Sequence, residues 1–144
     1  MTAISTAVIF FIALDRFFKA LAFSNQASSL NLLGEILKFN FKANYYIAFS
    51  LPLKGFWLDA VIGLIILLLL FYLARAWQGG RSGAAVCLFA VFLGAASNLF
   101  DRLKYGYVID YLDLKYFTVF NLADTMIIIG VANLLLILKA RDYV

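Results

Sequence analysis

Four long apolar runs divide the chain: roughly Ile4–Phe23, Phe56–Trp77, Ala84–Phe100 and Phe117–Leu138. Each comes close to the ~20 residues a helix needs to cross the hydrocarbon of a bilayer. The second is the most apolar, with no charge anywhere in Ala60–Ala74. The third is shorter and rich in alanine and glycine, which suits close approach of neighbouring helices. The first carries Asp15, Arg16 and Lys19 toward its C-terminal part and no lysine or arginine before Arg16. It therefore lacks the basic start of a secretory signal and reads as a retained helix. Four crossings place both termini on one side.

Between the first two runs the period changes. From Phe39 to Leu53 every odd position is apolar, while the even positions include Asn40, Lys42, Asn44 and Ser50. Alternation of this kind predicts extended strand, bent or folded into a hairpin. One greasy and one polar face suit a small sheet at the membrane surface, with Pro52 ending the pairing. The predicted fold is an all-α integral membrane protein, a single domain over residues 1–144. Its four transmembrane helices are accompanied by a strand-rich segment at about 36–54.

Composition agrees. Apolar residues make up 65% of the chain and charged residues 14%, against roughly 45–50% and about 25% in soluble domains. A disordered chain, a disulfide-stapled secreted fold and a nucleic-acid-binding tail are all excluded. The net charge of +4 is scattered, without a basic block, and reads as contact with lipid headgroups. The charge rule for orientation mildly opposes termini on the inside, so orientation must come from elsewhere. Arg75, Arg81, Lys139 and Arg141 fall on the side of the termini; Lys38, Lys42, Lys54, Arg102, Lys104 and Lys115 fall opposite. The chain has no histidine, which removes His-dependent nucleophilic catalysis and His-ligated metals. Its one cysteine, Cys87, lies inside the third run and reads as an inert packing residue.

The polar chemistry gathers in one stretch: Asn98, Asp101, Arg102, Asp110, Asp113, Asn121 and Asp124. Asn-Leu-x-Asp occurs twice, at Asn98–Asp101 and Asn121–Asp124. Spacing of three puts each Asn and Asp on one helical face. The first pair ends the third span and the second opens the fourth, so antiparallel helices would bring them to one level. Asp113, Lys104 and Lys115 read as solvated span ends. Asp101 and Arg102 read either as an ion pair closing the third helix or as functional groups. Asp124 precedes Thr-Met-Ile-Ile-Ile, where a carboxylate costs about 2.5–3.5 kcal/mol and marks a functional site by default. Asp110, between Ile109 and Tyr111, is its natural partner.

Two carboxylates ~4 Å apart repel by about 4 kcal/mol at an effective dielectric near 20. That splits their pKa values by roughly three units, so the pair holds one proton near neutral pH. The ionised member can take a proton from water, and the protonated member can polarise a carbonyl and then protonate a leaving amine. From spacing alone, peptide hydrolysis, proton relay and ion binding all stay open.

These residues also carry a family pattern. Gly94-Ala-Ala-Ser-Asn98-Leu-Phe-Asp101-Arg102, Gly106-Tyr-Val-Ile-Asp110-Tyr and Phe120-Asn121-Leu-Ala-Asp124 resemble three ordered motifs of the lipoprotein signal peptidase (signal peptidase II) family. Asp15 and Lys19 resemble the D-x-x-x-K of that family's first helix, and Asn44–Ser50 its N-x-G-A-A-F-S strand. The resemblance implies a cofactor-free, metal-free aspartyl endopeptidase of the bacterial cytoplasmic (inner) membrane. It would remove signal peptides from diacylglyceryl-modified prolipoproteins just before the lipidated cysteine, and globomycin would inhibit it. Asp110 and Asp124 align with the catalytic pair. Asn98, Asp101, Arg102, Asn121, Asn44, Asp15 and Lys19 align with substrate-binding and supporting positions. The termini would be cytoplasmic, with the strand segment forming an extracytoplasmic cradle.

The chain departs from the family pattern at Tyr46, Ile47, Ser97 and Arg16. Tyr46 matters most, because its ring cannot copy glycine's backbone freedom. Expected partners are the lipidated precursor and membrane lipid, not nucleic acid, and nothing requires more than a monomer. The rival functions are a membrane protein that moves protons or ions or binds lipid, and a non-catalytic relative that binds precursors. A presenilin-type motif is missing, and no Ser-Lys dyad stands out.

Overall fold

Glycines and polar clusters punctuate the apolar runs, and the helices end there. The computed structural model describes residues 2–45 and 55–141. Helix α1 spans Thr2–Ser24, α2 Phe56–Gln78, α3 Ser82–Tyr105 and α4 Leu122–Arg141. Gly79 and Gly80 separate α2 from α3. α3 stops at Gly106, whose left-handed φ of 80° lets its N–H cap the Arg102 carbonyl at 2.9 Å.

Strands β1 (Ser29–Leu33) and β2 (Leu37–Asn44) follow α1, while β3 (Val108–Leu114) and β4 (Val119–Phe120) fill the α3–α4 connection. They form one antiparallel sheet in the order β1-β2-β3-β4. The β1–β2 turn passes through Gly34 at a φ of 53°. At the other end of β2, Asn44 stands opposite Val108 and Lys42 opposite Asp110. Between Phe39 and Lys42 the register slips by one residue, a bulge of the kind that re-aims side chains.

The alternating segment thus contributes a strand over Phe39–Asn44, and its remainder at 46–54, with Tyr46, Ile47 and Pro52, lies outside the described residues. The α3–α4 connection forms half of the sheet. One expectation needs correction. The fourth helix begins at Leu122 rather than Phe117, because Val119–Phe120 pairs with β3 and Asn121 then starts a new hydrogen-bonding pattern.

The sheet sits on the C-terminal end of α1. Ala22, Ile109 and Tyr111 form a buried centre there, packed round by Phe18, Phe39, Phe41 and Leu122. A second centre of Ala76, Ala85 and Leu88 joins α2 to α3. α3 and α4 meet through glycines. A Cβ on Gly94 would lie 2.6 Å from the Ala123 carbonyl oxygen, and one on Gly130 would lie 2.6 Å from Val91 Cγ2.

Elsewhere the helices turn large apolar side chains outward, among them Leu64, Leu67, Phe71, Leu135 and Leu136. Among the described residues three helices, Phe56–Gln78, Ser82–Tyr105 and Leu122–Ala140, are long and apolar enough to cross a membrane. α1 is equally long at 23 residues but bears Asp15, Arg16 and Lys19, of which Asp15 and Lys19 are fully buried.

Candidate active site

Asn121 immediately precedes α4, and its side chain works in two directions. Its Oδ1 accepts the Asp124 N–H at 2.8 Å, while Asp124 Oδ2 accepts the Asn121 N–H at 3.3 Å. This reciprocal pair is a capping box. The Asn-x-x-Asp spacing therefore serves a helix start here, not a shared helical face. Asp124 gains the positive end of the helix dipole as well. The other end of the same amide, Nδ2, donates to Asp110 Oδ1 at 2.7 Å and to Asn98 Oδ1 at 3.3 Å. Asn121 thus links the two residues, holding the Asp110 carboxyl with its side chain and the Asp124 carboxylate with its backbone N–H.

Asp110 reaches this position because β3 lies between β2 and the helix ends. It is buried at 1% exposure, and the Asn44 amide donates to its Oδ2 at 2.9 Å. Burial, and after it the charge of Asp124, push the Asp110 carboxyl up to about 7, against the opposing effect of the Asn44 and Asn121 amides and of Lys19. Asp124 takes a second donor from α3, Asn98 Nδ2 at 2.7 Å. The two carboxyls are therefore held by three asparagines, Asn44 on β2, Asn98 on α3 and Asn121 just ahead of α4.

Behind the pair lies a buried ionic cluster. Lys19 Nζ donates to Asn98 Oδ1 at 2.7 Å and contacts Asp101 at 2.8 Å and Asp15 at 3.3 Å. Asn98 and Asp101 do share a helical face, and Lys19 reads both. Asp15 Oδ2 accepts the Ser97 hydroxyl at 2.7 Å. Such a buried cluster survives because each charge is paired and hydrogen-bonded.

Of the two readings left open for Asp101 and Arg102, Asp101 takes its ion pairs from α1 rather than from its neighbour Arg102. Asp101 binds Arg16 at 2.6 Å, Lys19, and the Ile109 N–H at 3.3 Å. Arg102 points instead to the Tyr45 carbonyl at 3.4 Å, at the end of β2. Adjacent residues on a helix project about 100° apart, so neighbours in sequence serve different partners. Asp113, expected as a solvated end, accepts the Asn40 amide at 2.9 Å.

Of the residues singled out from sequence, Asp110, Asp124, Asn98, Asn121 and Asn44 meet directly. Asp15, Lys19 and Asp101 join through Asn98, and Arg102 stands to one side. Arg16, Ser97 and Tyr111 also take part, beyond the residues singled out from sequence. Arg16 carried a signal, a second cation beside Asp15 at the depth of Asp101. Tyr111 carried only its place beside Asp110.

The Signal peptidase (SPase) II family model matches residues 7–140. The chain belongs to the signal peptidase II family. It is 31% identical over 140 residues to the lipoprotein signal peptidase of Halothermothrix orenii, covering 95% of each chain. It is 37% identical over 134 residues to the lipoprotein signal peptidase of Syntrophomonas wolfei, covering 91% of this chain and 88% of that one. A solved bacterial membrane enzyme shares the fold with a TM-score of 0.83 at 21% identity, over 99% of this chain and 90% of that one. Family membership and the apolar helices together make this signal peptidase II relative a bacterial membrane protein and a peptidase.

Proposed function

We propose that the chain cleaves signal peptides from diacylglyceryl-modified prolipoproteins, just before the lipidated cysteine, as an aspartyl endopeptidase. The observation that carries this reading is the Asn121 amide, which bonds Asp110 at 2.7 Å while Asn121 and Asp124 cap one another. Two carboxyls so tied share one proton. The ionised carboxylate takes a proton from water as the oxygen attacks the scissile carbonyl carbon. The protonated carboxyl donates to the carbonyl oxygen. As the tetrahedral intermediate collapses, the C–N bond breaks and the amine leaves with a proton from the pair. The products are a carboxylic acid on the signal peptide and a free amine on the cysteine.

In this reading Asn44, Asn98 and Asn121 aim the carboxyls, and Lys19, Asp15 and Asp101 anchor Asn98 and the start of α4. Arg102 steadies the end of β2 over the site. α1 crosses the membrane as the fourth span, with Asp15 and Lys19 buried against α3. Both termini are cytoplasmic, the site lies near the outer leaflet of the inner membrane, and the sheet is the cradle. The outward apolar faces meet lipid, and the enzyme acts as a monomer.

The test is purified full-length protein in liposomes with one lipidated precursor, followed by gel mobility. Conversion to the mature form, unaffected by EDTA, is the expected result. No cleavage of the lipidated precursor, or cleavage lost with EDTA, contradicts the reading.

A further inference from the structure

One oxygen of the buried Asp15 carboxylate collects donors that flank both members of the pair. Its Oδ1 accepts the Tyr111 hydroxyl at 3.2 Å and the Ala123 N–H at 3.1 Å. Tyr111 follows Asp110 on β3, and Ala123 precedes Asp124 on α4. The Tyr111 oxygen also accepts the Leu122 N–H at 3.1 Å. Leu122 and Ala123 open α4, where N–H groups have no partner within the helix. A side chain from β3 and a carboxylate from α1 thus close off the helix start that carries Asp124.

The ring and the hydroxyl of Tyr111 do separate things. The ring packs against Phe18 and Phe39 at centroid distances of 5.7 and 5.6 Å. The hydroxyl is the group that reaches Asp15 and α4. Burial, and after it the charge of Asp15, push its pKa well above the ordinary tyrosine value, so it keeps the proton that it donates. The second oxygen of Asp15 is fixed to α3 by the Ser97 hydroxyl and to Lys19, so the anchor itself is held.

We propose that Tyr111 is a positioning residue whose hydroxyl, through Asp15 and the first N–H of α4, sets the separation of Asp110 and Asp124. The proposal rests on the aspartyl-pair reading above. Loosening this tie lets the carboxyls drift apart and weakens their repulsion. The charged groups facing Asp110 are Asp124 from α4, Lys19 from α1 and Arg102 from α3, with Lys42 opposite it on β2. Asp124 is the one of these whose approach favours the protonated form of Asp110.

The experiment uses full-length Tyr111→Phe in liposomes with a lipidated precursor. The expected result is a fall of about tenfold in kcat with KM within about twofold, since misplaced reacting groups lose turnover rather than binding. The alkaline limb of the rate profile moves to lower pH. On an Asp15→Asn background the same substitution costs less than on the wild type, because the charged Tyr111–Asp15 bond is already weakened there and only the Leu122 N–H contact is newly lost. Unchanged kcat and limb, or losses that multiply, overturn the proposal. A lowered unfolding midpoint with kcat and limb intact makes the contact structural only and overturns it too. If Asp15→Asn does not fold, the limb of Tyr111→Phe decides alone. Turnover by Asp110→Asn in the same assay sinks the pair itself, whereas wild-type behaviour of Tyr111→Phe sinks only this tie.

Discussion

At the scale of single residues, the site turns on asparagine. A neutral amide offers a donor and an acceptor at once, so Asn121 can cap α4 and hold Asp110 without adding charge beside the pair. Asn44 is the separable case. Its amide favours the ionised form of Asp110, so Asn44→Ala is expected to raise the Asp110 pKa further and move the alkaline limb to higher pH. Rate profiles of the two proteins check this. Stability follows the same group. A carboxyl that titrates at 3.8 when free and about 7 when folded binds its proton more tightly in the fold between those values. Its contribution is fully present below about pH 4 and is lost as pH rises through 7. Unfolding midpoints in detergent are expected to fall over that window in the wild type and to fall less in Asp110→Asn. Asp110 and Asp124 were legible in sequence as costly carboxyls in apolar surroundings. The capping role of Asn121 was not, because spacing of three suits a helical face and a helix start equally well. Arg16 was hidden for another reason: its partner, Asp101, lies 85 residues away, and no local pattern carries that pairing.

At the scale of elements, two glycines set how closely α3 and α4 approach. Gly94 lies against the backbone carbonyl of Ala123, next to Asp124, and a carbonyl in a helix cannot swing aside as a side chain can. Gly94→Ala is expected to destabilise the protein by about 1–3 kcal/mol through overpacking and to lower turnover further by shifting the start of α4. Thermal unfolding and cleavage rate on the same sample separate the two effects. Gly130→Ala, whose nearest neighbour is a Val91 methyl group, is expected to affect stability with little change in turnover per folded molecule. The helices were legible because each is a long apolar run that needs no partner to be noticed. The sheet was half legible. Alternation marked β2, but β3 is a seven-residue strand whose partner lies across α2 and α3, and its aspartates broke the pattern that would have marked it. The bulge in β2, which falls opposite Tyr111, likewise has no signature of its own.

At the scale of the whole molecule, composition alone placed the chain in a bilayer, and the outward leucines and phenylalanines of α2 and α4 give that placement its surface. Orientation was not legible, because the cationic residues that would set it also line the sheet and the site. Cysteine labelling from outside intact cells, in a background lacking Cys87, measures orientation directly. A Lys115→Cys protein is expected to react with a membrane-impermeant reagent and an Arg81→Cys protein to be protected. The reverse result would invert the molecule and place the carboxyls on the wrong side for exported precursors. The central claim is narrower: hydrolysis is carried out by Asp110 and Asp124 together. It is tested most directly by the turnover of one lipidated precursor by purified Asp110→Asn and Asp124→Asn, each shown to insert in the membrane as the wild type does. The account expects each substitution to cut turnover by at least about a hundredfold to a thousandfold. Near-normal cleavage by either variant would contradict it.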